Sequence, residues 1–305
     1  MKMKTVYRIV NVVLLAVLAA GCGNDMNTGL PADAPVPVEI TGAGITAGVE
    51  TRATITGGSI GVFRTGSGYT EQYEKYTYDS GWKPSPSANA IIVGGGDATV
   101  CAYYPYDEAA NRSGTGFILE AGGWSEQKDL CYAATSGVSN KNPQVSFPMK
   151  RAYARLKLSI TRTANYVGNC NVTNVNIRNS SGNSFIIRRT LDISNNTSSG
   201  DVNTGGGWTY GLNLGNIGIG TTNTAYDVLV PPQQINGGLM ITLPIDGLNR
   251  AVTVPAASFS NELGAGKQYT VSLTITDVAL ILNGSIIIND YISGENLQND
   301  VPVGI

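Results

Sequence analysis

Residues 51–63 read TRATITGGSIGVF, two short runs of mainly β-branched and aliphatic residues separated by Gly57 and Gly58. Residues of these types favour extended backbone, and adjacent glycines favour a break between strands. The stretch therefore predicts two short β-strands close together. Beyond the N-terminal segment, no part of the sequence shows an apolar period of 3.6 residues over three helical turns. We therefore predict an all-β fold.

The composition of the whole chain agrees with this class. Glycine accounts for 38 of the 305 residues, and charged residues for only 14%. Thr, Ser, Asn, Val and Ile recur in short runs between Gly, Pro and Asn, which is typical of strands joined by turns. No short period repeats along the chain, which argues against a solenoid or a propeller. The length is sufficient for one large or two moderate β-domains.

The N-terminal segment has the form of a bacterial export signal. It begins with the basic residues Lys2, Lys4 and Arg8. The apolar run at 9–20 is too short to cross about 30 Å of hydrocarbon. With Gly21 and Cys22 it resembles the lipobox of bacterial lipoproteins, in which a peptidase cuts before a cysteine that carries lipid. We expect 1–21 to be a signal peptide, cut between Gly21 and Cys22.

A lipid on Cys22 would tether the protein to the outer membrane, because two or three acyl chains anchor durably. Ordinary secretion, with Cys22 unmodified or discarded, is the alternative. Residues 22–37 are polar, small and rich in proline, so we expect a flexible spacer between the lipid and the fold. Within the fold that follows, residues 38–45 are predicted to pair only weakly.

Removal of the signal peptide makes the chain more acidic. The full sequence has 20 basic and 22 acidic residues, and the signal contains three basic and no acidic ones, which leaves 17 against 22 and a net charge of −5. No basic run is present. Nucleic-acid binding requires clustered Lys and Arg, so we expect no nucleic-acid partner. Charge-driven adhesion to anionic lipid is disfavoured for the same reason.

Two further local signals predict strand ends. Residues 91–106 (IIVGGGDATVCAYYPY) predict a pair of strands closed by Pro105, because proline cannot donate a hydrogen bond to a strand ladder. Residues 278–292 (VALILNGSIIINDYI) contain Asn283 and Gly284 between two aliphatic runs. Both residues tolerate the positive φ of a type I′ turn, so a two-residue hairpin is predicted there.

The cysteines and the absence of histidine limit the chemistry. Besides Cys22, the chain has Cys101, Cys131 and Cys170. A bridge between Cys101 and Cys131 would leave Cys170 over, and three small buried side chains are the alternative. No CxxC spacing and no histidine are present, so we expect no metal site and no cofactor. Histidine-dependent nucleophilic catalysis is excluded as well.

Two features leave room for a sugar site. Asp107 and Glu108 follow Tyr103, Tyr104 and Tyr106, and paired carboxylates act in glycosidases. Adjacent acids after a proline are typical of a solvated loop, so we predict no enzyme. A surface glycan-binding lipoprotein is the alternative function. In a glycan-binding protein, the tryptophans of this chain would stack on sugar rings. The alternative is that they pack in the core. They are Trp82, Trp124 and Trp208.

Several motifs together resemble the fimbrillin-like proteins that build type V pili. In order along the chain they are GSIGVFR at 58–64, Trp82, ATVCAYYPYD at 98–107, DLCYAAT at 129–135, VSFPMKRAYARLKLSI at 145–160 and LGAGKQYTVSLTI at 263–275. The chain departs from the family where Met149, Lys150 and Arg151 stand near a position usually occupied by histidine.

The resemblance implies two tandem β-sandwich domains, the first of them transthyretin-like, which we place at 38–147 and 148–305. It implies a structural or adhesive subunit of a pilus at the outer membrane and cell surface. The implied partners are other pilus subunits and a ligand on a host or bacterial surface.

In this family an Arg-directed protease cuts stalk subunits after the first strand, and a neighbouring subunit fills the vacated groove with a strand of its own. Arg52 is the predicted cut site, and an ordinary exposed arginine on a strand is the alternative. Anchor subunits keep their lipid and are not cut. Pro302 and Gly304 weaken the C-terminal tail as a donor strand, which favours a tip or accessory subunit over a stalk subunit.

Overall fold

The computed structural model describes residues 33–47, 51–108, 114–181, 185–203 and 210–291. In these ranges the chain forms 25 strands, two 3₁₀ turns at Glu126–Lys128 and Ala256–Phe259, and no α-helix. The predicted all-β class is therefore confirmed. None of the described segments is a helix long and apolar enough to span a bilayer.

For description, we divide the chain into a first half and a second half at Ala152 and Tyr153, which join β12 to β13. Before this link lie β1 (Val36–Pro37), β2 (Glu39–Ala47), β3 (Thr51–Thr54), β4 (Ser59–Thr65), β5 (Gln72–Tyr78), β6 (Trp82–Pro84), β7 (Ile92–Val93), β8 (Ala98–Tyr104), β9 (Gly116–Glu120), β10 (Gly122–Gly123), β11 (Cys131–Val138) and β12 (Gln144–Arg151). After it lie β13 (Ala154–Arg162), β14 (Asn171–Asn179), β15 (Ile186–Asp192), β16 (Thr197–Asn203), β17 (Tyr210–Gly218), β18 (Thr224–Val230), β19 (Gln233–Gln234), β20 (Leu239–Ile245), β21 (Leu248–Val254), β22 (Glu262–Leu263), β23 (Lys267–Ile275), β24 (Leu280–Leu282) and β25 (Ile287–Asp290).

Eight strands of the first half form one sheet, in the order β3-β2-β12-β11-β8-β4-β5-β6. β2 runs parallel to β12, and the other neighbours are antiparallel. Along β12 buried residues alternate with exposed ones, as expected for a strand with one face on a core. This first core extends in sequence from Val38 to Met149. β8 ends at Tyr104, so the prediction that Pro105 closes a strand is confirmed.

The second half has two larger sheets around a second core. One has the order β10-β18-β13-β23-β24, with β25 also paired to β23, and the other has the order β17-β14-β20-β21. Leu156 and Leu158 of the first sheet share one buried cluster with Val175, Ile177 and Ile241 of the second. The two sheets therefore face each other across a common core.

A third buried cluster connects the two halves. Phe63 and Tyr103 from the first-half sheet share it with Leu191, Leu229 and Tyr291 from the second half. β9 and β10, although early in the sequence, pair with β15 and β18. The predicted domain boundary at 147/148 falls within β12, and the division into two domains stays a prediction.

The predicted hairpin at Asn283 and Gly284 is wrong. β24 and β25 do not pair with each other, because both lie antiparallel to the same edge of β23, with Leu282 opposite Leu273 and Ile287 opposite Thr270. The chain reverses instead at residues 276–279, where the N–H of Thr276 donates to the carbonyl of Ala279. A two-stranded ribbon is marginal alone, so the edge of a sheet that covers a core is the more stable partner.

Candidate functional site

The strand that precedes the candidate cut site at Arg52, β2, lies between β3 and β12. Ile40, Ala43 and Ile45 of β2 stand opposite Val145, Phe147 and Met149 of β12. All six side chains are buried in the first core. The surface that β2 covers, formed by Val145, Phe147 and Met149 together with Ile55, is called the β2 groove below.

β2 contains a bulge that hides its periodicity. Ile40 pairs with Val145 and Gly42 with Ser146, which leaves Thr41 as an extra residue. The Thr41 hydroxyl donates to the carbonyl of Val145 at 3.0 Å. A bulge shifts the alternation of a strand by one residue. The prediction that this segment pairs only weakly is therefore wrong, since β2 is a nine-residue strand.

Much of the first core depends on β2. Val38, immediately before β2, and Ile40 and Ile45 within it are 5%, 7% and 5% exposed. Burial of each such side chain contributes about 1.5–3 kcal/mol, so the three together contribute on the order of 5–9 kcal/mol. A domain is stable by only about 5–15 kcal/mol in total. Loss of β2 without a replacement would thus remove most of the stability of this half.

Arg52 lies in β3, which pairs with the edge of β2 opposite to β12. In the antiparallel pair of β2 and β3, Arg52 stands opposite Thr46 and Ala53 opposite Ile45. The side chain of Arg52 lies outside the part of the chain that the structure describes. The two strands approach closely, since a Cβ at Gly44 would lie 3.0 Å from the carbonyl oxygen of Ala53. Cleavage after Arg52 would break the covalent link between β2 and the rest of the sheet.

The lipidation and tail predictions lie outside the described residues. These comprise Gly21, Cys22, Pro302 and Gly304. The end of the predicted spacer is described, and there Val36 and Pro37 form β1 and pair with Val93 and Ile92 of β7. The segment immediately before β2 is therefore held against the first half.

A buried polar network adjoins the end of β2. Ile45 lines a small cavity of about 40 Å³ together with Asp129 and Arg151. Asp129 and Arg151 form an ion pair with side chains 4% and 5% exposed. Burial raises the pKa of Asp129, and the nearby Arg151 charge opposes that shift. The Arg151 Nε also donates to the carbonyl of Tyr291 at 3.2 Å, which links the first half to the end of β25.

A second ion pair joins β13 to β18. Arg155 makes a two-point contact with the Asp227 carboxylate, at 3.0 and 2.7 Å. Its guanidinium lies 4.5 Å from the ring centre of Trp124 and 4.8 Å from that of Tyr291. Bidentate and cation–π contacts of this kind fix side-chain geometry. Sequence reasoning noted Arg151 as a departure from the family but gave it no role, and it missed Asp129, Arg155 and Asp227.

The residues considered for a sugar site do not form one arrangement. Glu108 pairs with Lys75, whereas Asp107 lines a cleft of about 300 Å³ with Tyr103. Trp82 is buried in the first core, as the core-packing alternative predicts. Trp124 is partly buried against the third cluster beneath Arg155. Trp208 lies outside the described residues.

The three cysteines are free and buried, so the bridge between Cys101 and Cys131 does not form. Cys101 pairs across the strands with Ala134, and Cys131 with Tyr104. Burial raises the pKa of both thiols to about 12. Such thiols behave as small hydrophobic side chains.

Comparison with known proteins identifies the family. The fimbrillin-like family profile matches residues 49–290. A candidate cell adhesion protein from Bacteroides uniformis has a solved structure that is 19% identical, with a TM-score of 0.59 over 85% of this chain and 99% of that one. One from Bacteroides ovatus is 15% identical, with a TM-score of 0.58 over 86% and 100%. These two similarities show a shared fold. No curated protein sequence matches the chain. Because the family profile covers most of its length, the chain belongs to the fimbrillin-like family.

Proposed function

We propose that this protein is a subunit of a surface pilus, structural or adhesive, that joins its neighbours by strand replacement at the β2 groove. The observation that carries the proposal is the position of β2. Among the described residues it is the first strand longer than two residues, it is inserted between two other strands, and its buried residues Ile40, Ala43 and Ile45 lie in the first core.

Strand replacement follows from the chemistry of a sheet edge. Without β2, the N–H and C=O groups of β12 that face it would be unpaired, and Val145, Phe147 and Met149 would be exposed to water. An added strand satisfies both deficits, because its backbone completes the ladder and its alternate side chains fill the pockets. An empty groove would expose apolar side chains to water at a free-energy cost of several kcal/mol. A donated strand that buries them would therefore be held tightly.

Cleavage after Arg52 would make β2 replaceable. β2 would remain bound only by non-covalent contacts, and a stronger competing strand could displace it. Lipidated Cys22 lies on the same fragment as β2, so cleavage would also release the subunit from its anchor in the outer membrane. An uncut chain would stay tethered. The composition of the tail, with Pro302 and Gly304, supports a tip or accessory position.

The proposal includes two domains, the first completed by β2 and the second built on the core that contains Leu156 and Ile241. The third cluster and the Asp129–Arg151 pair would hold the domains together. Replacement of β2 would then occur in the first domain without unfolding the second.

The N-terminus of the surface-exposed protein tests the proposed maturation. We expect mass spectrometry of wild-type protein to find a start at Ala53, and an Arg52→Gln variant to retain lipidated Cys22. The matched control is Arg64→Gln, because Arg64 lies in β4, where its guanidinium donates to the carbonyl of Thr70 at 2.6 Å. Lipidated Cys22 on all wild-type surface protein would exclude cleavage.

A further inference from the structure

The β2 groove has a regular shape, whereas the strand that fills it does not. Along β12 buried and exposed residues alternate without interruption, and Val145, Phe147 and Met149 are buried residues opposite β2. Successive side chains of a strand point to opposite faces of its sheet. A strand that pairs with β12 and covers the same core therefore needs apolar side chains at every second position.

β2 meets this requirement only through its bulge. Ile40 and Ala43 are three residues apart, but their partners Val145 and Phe147 are two residues apart. Thr41, the extra residue, is exposed and has no partner in the register. A bulge leaves the extra residue unpaired and disrupts the ladder locally. Without Thr41, the buried residues of β2 would alternate as strictly as those of β12.

Gly42 weakens β2 although nothing around it requires glycine. It is not one of the glycines with a positive φ. No heavy atom of the described residues lies within 4 Å of the position that a Cβ would take there. Glycine within a strand destabilises it, because glycine loses more conformational freedom on folding than other residues and has no side chain to pack. A larger residue at this position would strengthen the strand.

Gly44 differs from Gly42, because a Cβ at Gly44 would lie 3.0 Å from the carbonyl oxygen of Ala53 in β3. The two glycines line a hollow of about 150 Å³ beside Ser146 and Pro148. Ser146 and Pro148 are exposed, so the hollow lies on the face of the sheet away from the core. It has room for side chains that β2 lacks.

We infer that β2 is an imperfect occupant and that the groove fits a more regular strand donated by a different subunit. This inference rests on the proposed strand replacement. The donated strand has apolar side chains at three alternate positions, no bulge, and a β-branched residue where β2 has Gly42. β-Branched side chains pack well on a pleated, partly buried surface. Such a strand binds the groove more tightly than β2 does, which gives the replacement its direction.

The tail of this chain does not have the required sequence. Residues 301–305 read VPVGI, in which apolar residues alternate with Pro302 and Gly304. Proline cannot donate a hydrogen bond to the ladder, and glycine repeats the weakness of β2. The groove therefore favours a strand from a different subunit over the tail of a second copy. Expressed without other pilus subunits, this protein should form no polymers.

Substitutions in β2 test the inference, because cleavage after Arg52 removes them and leaves the same mature subunit in every case. Gly42→Val and a deletion of Thr41 should each raise the denaturant midpoint of an uncut Arg52→Gln chain. In cleavable chains that are supplied with the other subunits, each should slow entry into polymers about fivefold. Gly44→Val is the matched control. Its effects should be smaller, because its side chain meets the Ala53 carbonyl.

Mass spectrometry of the N-termini measures the cut fraction, to which polymer entry is normalised. The inference is overturned if both midpoints stay at or below that of the Arg52→Gln parent, if normalised entry is as fast as for wild type, or if this protein polymerises alone. If the Thr41 deletion fails to fold, Gly42→Val decides. A disulfide that locks β2 to β12 tests strand replacement itself. Should the locked chain still enter polymers, the proposed function fails, whereas the midpoints still decide whether the groove prefers a regular strand.

Discussion

Ile45 stands directly opposite Met149 in the parallel pair of β2 and β12. The next residue, Thr46, donates its hydroxyl to the Met149 carbonyl at 3.0 Å. Two residues beyond Met149 lies Arg151, whose ion pair with Asp129 shares a cavity with Ile45. The end of β2 thus lies beside the polar network that links the two halves, and loss of β2 would open that network to water.

The burial pattern of β2 predicts unequal effects of two neighbouring substitutions. Ile40→Ala should lower the free energy of unfolding by about 2–4 kcal/mol, because it removes buried methyl groups and leaves a cavity. Glu39→Ala should change it by less than about 0.5 kcal/mol, since Glu39 is exposed. Denaturant unfolding of the uncut chain measures both, and equal effects would contradict the described register.

The buried ion pair should respond to single and double substitution differently. Arg151→Met should lower the free energy of unfolding by about 3–5 kcal/mol, because it leaves Asp129 buried without its cation. The double variant Arg151→Met with Asp129→Leu should regain much of that loss. Thermal or denaturant unfolding compares the three proteins.

The exposed pair of Lys83 and Asp79, 3.5 Å apart, is the control for this prediction. Lys83→Ala should lower the free energy of unfolding by less than about 1 kcal/mol, because water screens such pairs. An Arg151→Met effect as small as that of Lys83→Ala would show that the buried pair does not form in solution.

Asp246 should make the unfolding of the second half dependent on pH. The N–H of Asn171 donates to its carboxylate at 2.9 Å and is the main cause of a lowered pKa. The Tyr166 hydroxyl, at 2.9 Å, and the Cys170 N–H, at 3.0 Å, act in the same direction. A carboxyl whose pKa is lower when folded stabilises the protein above its unfolded pKa of about 3.9, and the effect disappears as the pH falls through the folded pKa.

The stability difference between wild type and Asp246→Asn should therefore be full at pH 6 and smaller at pH 3. Urea unfolding at the two pH values measures it. A difference that stays constant between them would mean that the hydrogen bonds to Asp246 do not favour its charged form.

The cysteines should be protected from alkylation. Cys101, Cys131 and Cys170 are 0%, 1% and 0% exposed, and burial raises their pKa values. Reaction with iodoacetamide at pH 8 should be slower by at least about 100-fold in the folded protein than in denaturant, because reaction requires local opening. After reaction in denaturant, the intact mass should show three labels on a chain whose Cys22 carries lipid or has been removed. Rapid labelling of any of the three in the folded protein would contradict the packing.

Local sequence signals predict this fold where the strands are regular. Pro105 correctly marks the end of β8, and glycine-separated aliphatic runs correctly indicate strands. The same strand prediction fails in β2, because the bulge at Thr41 adds one residue and shifts the alternation of buried and exposed positions. At Asn283 and Gly284 the local turn preference is real, but the long edge of β23 offers a better partner. Tertiary context overrides local preference there.

The candidate site depends on contacts that no local pattern reveals. Asp129 and Arg151 are 22 residues apart, and Arg155 and Asp227 are 72 apart. Gln233 clamps the backbone of Ile186 across 47 residues. Only the folded arrangement brings these groups together.

The most direct test of strand replacement is to lock β2 in place. Glu39 and Gln144 are paired, exposed residues of β2 and β12, and the Gln144 amide donates to the Glu39 carboxylate at 3.0 Å. A Glu39→Cys and Gln144→Cys double variant should form a disulfide between the strands, which mass spectrometry verifies. Single-cysteine variants and the reduced double variant are the controls.

Cells that supply the other pilus subunits would express each variant, and unheated gels would report its entry into polymers. The account predicts that wild type, the single variants and the reduced double variant enter polymers, whereas the oxidised double variant does not. Entry of the oxidised double variant as complete as that of wild type would contradict assembly through the β2 groove.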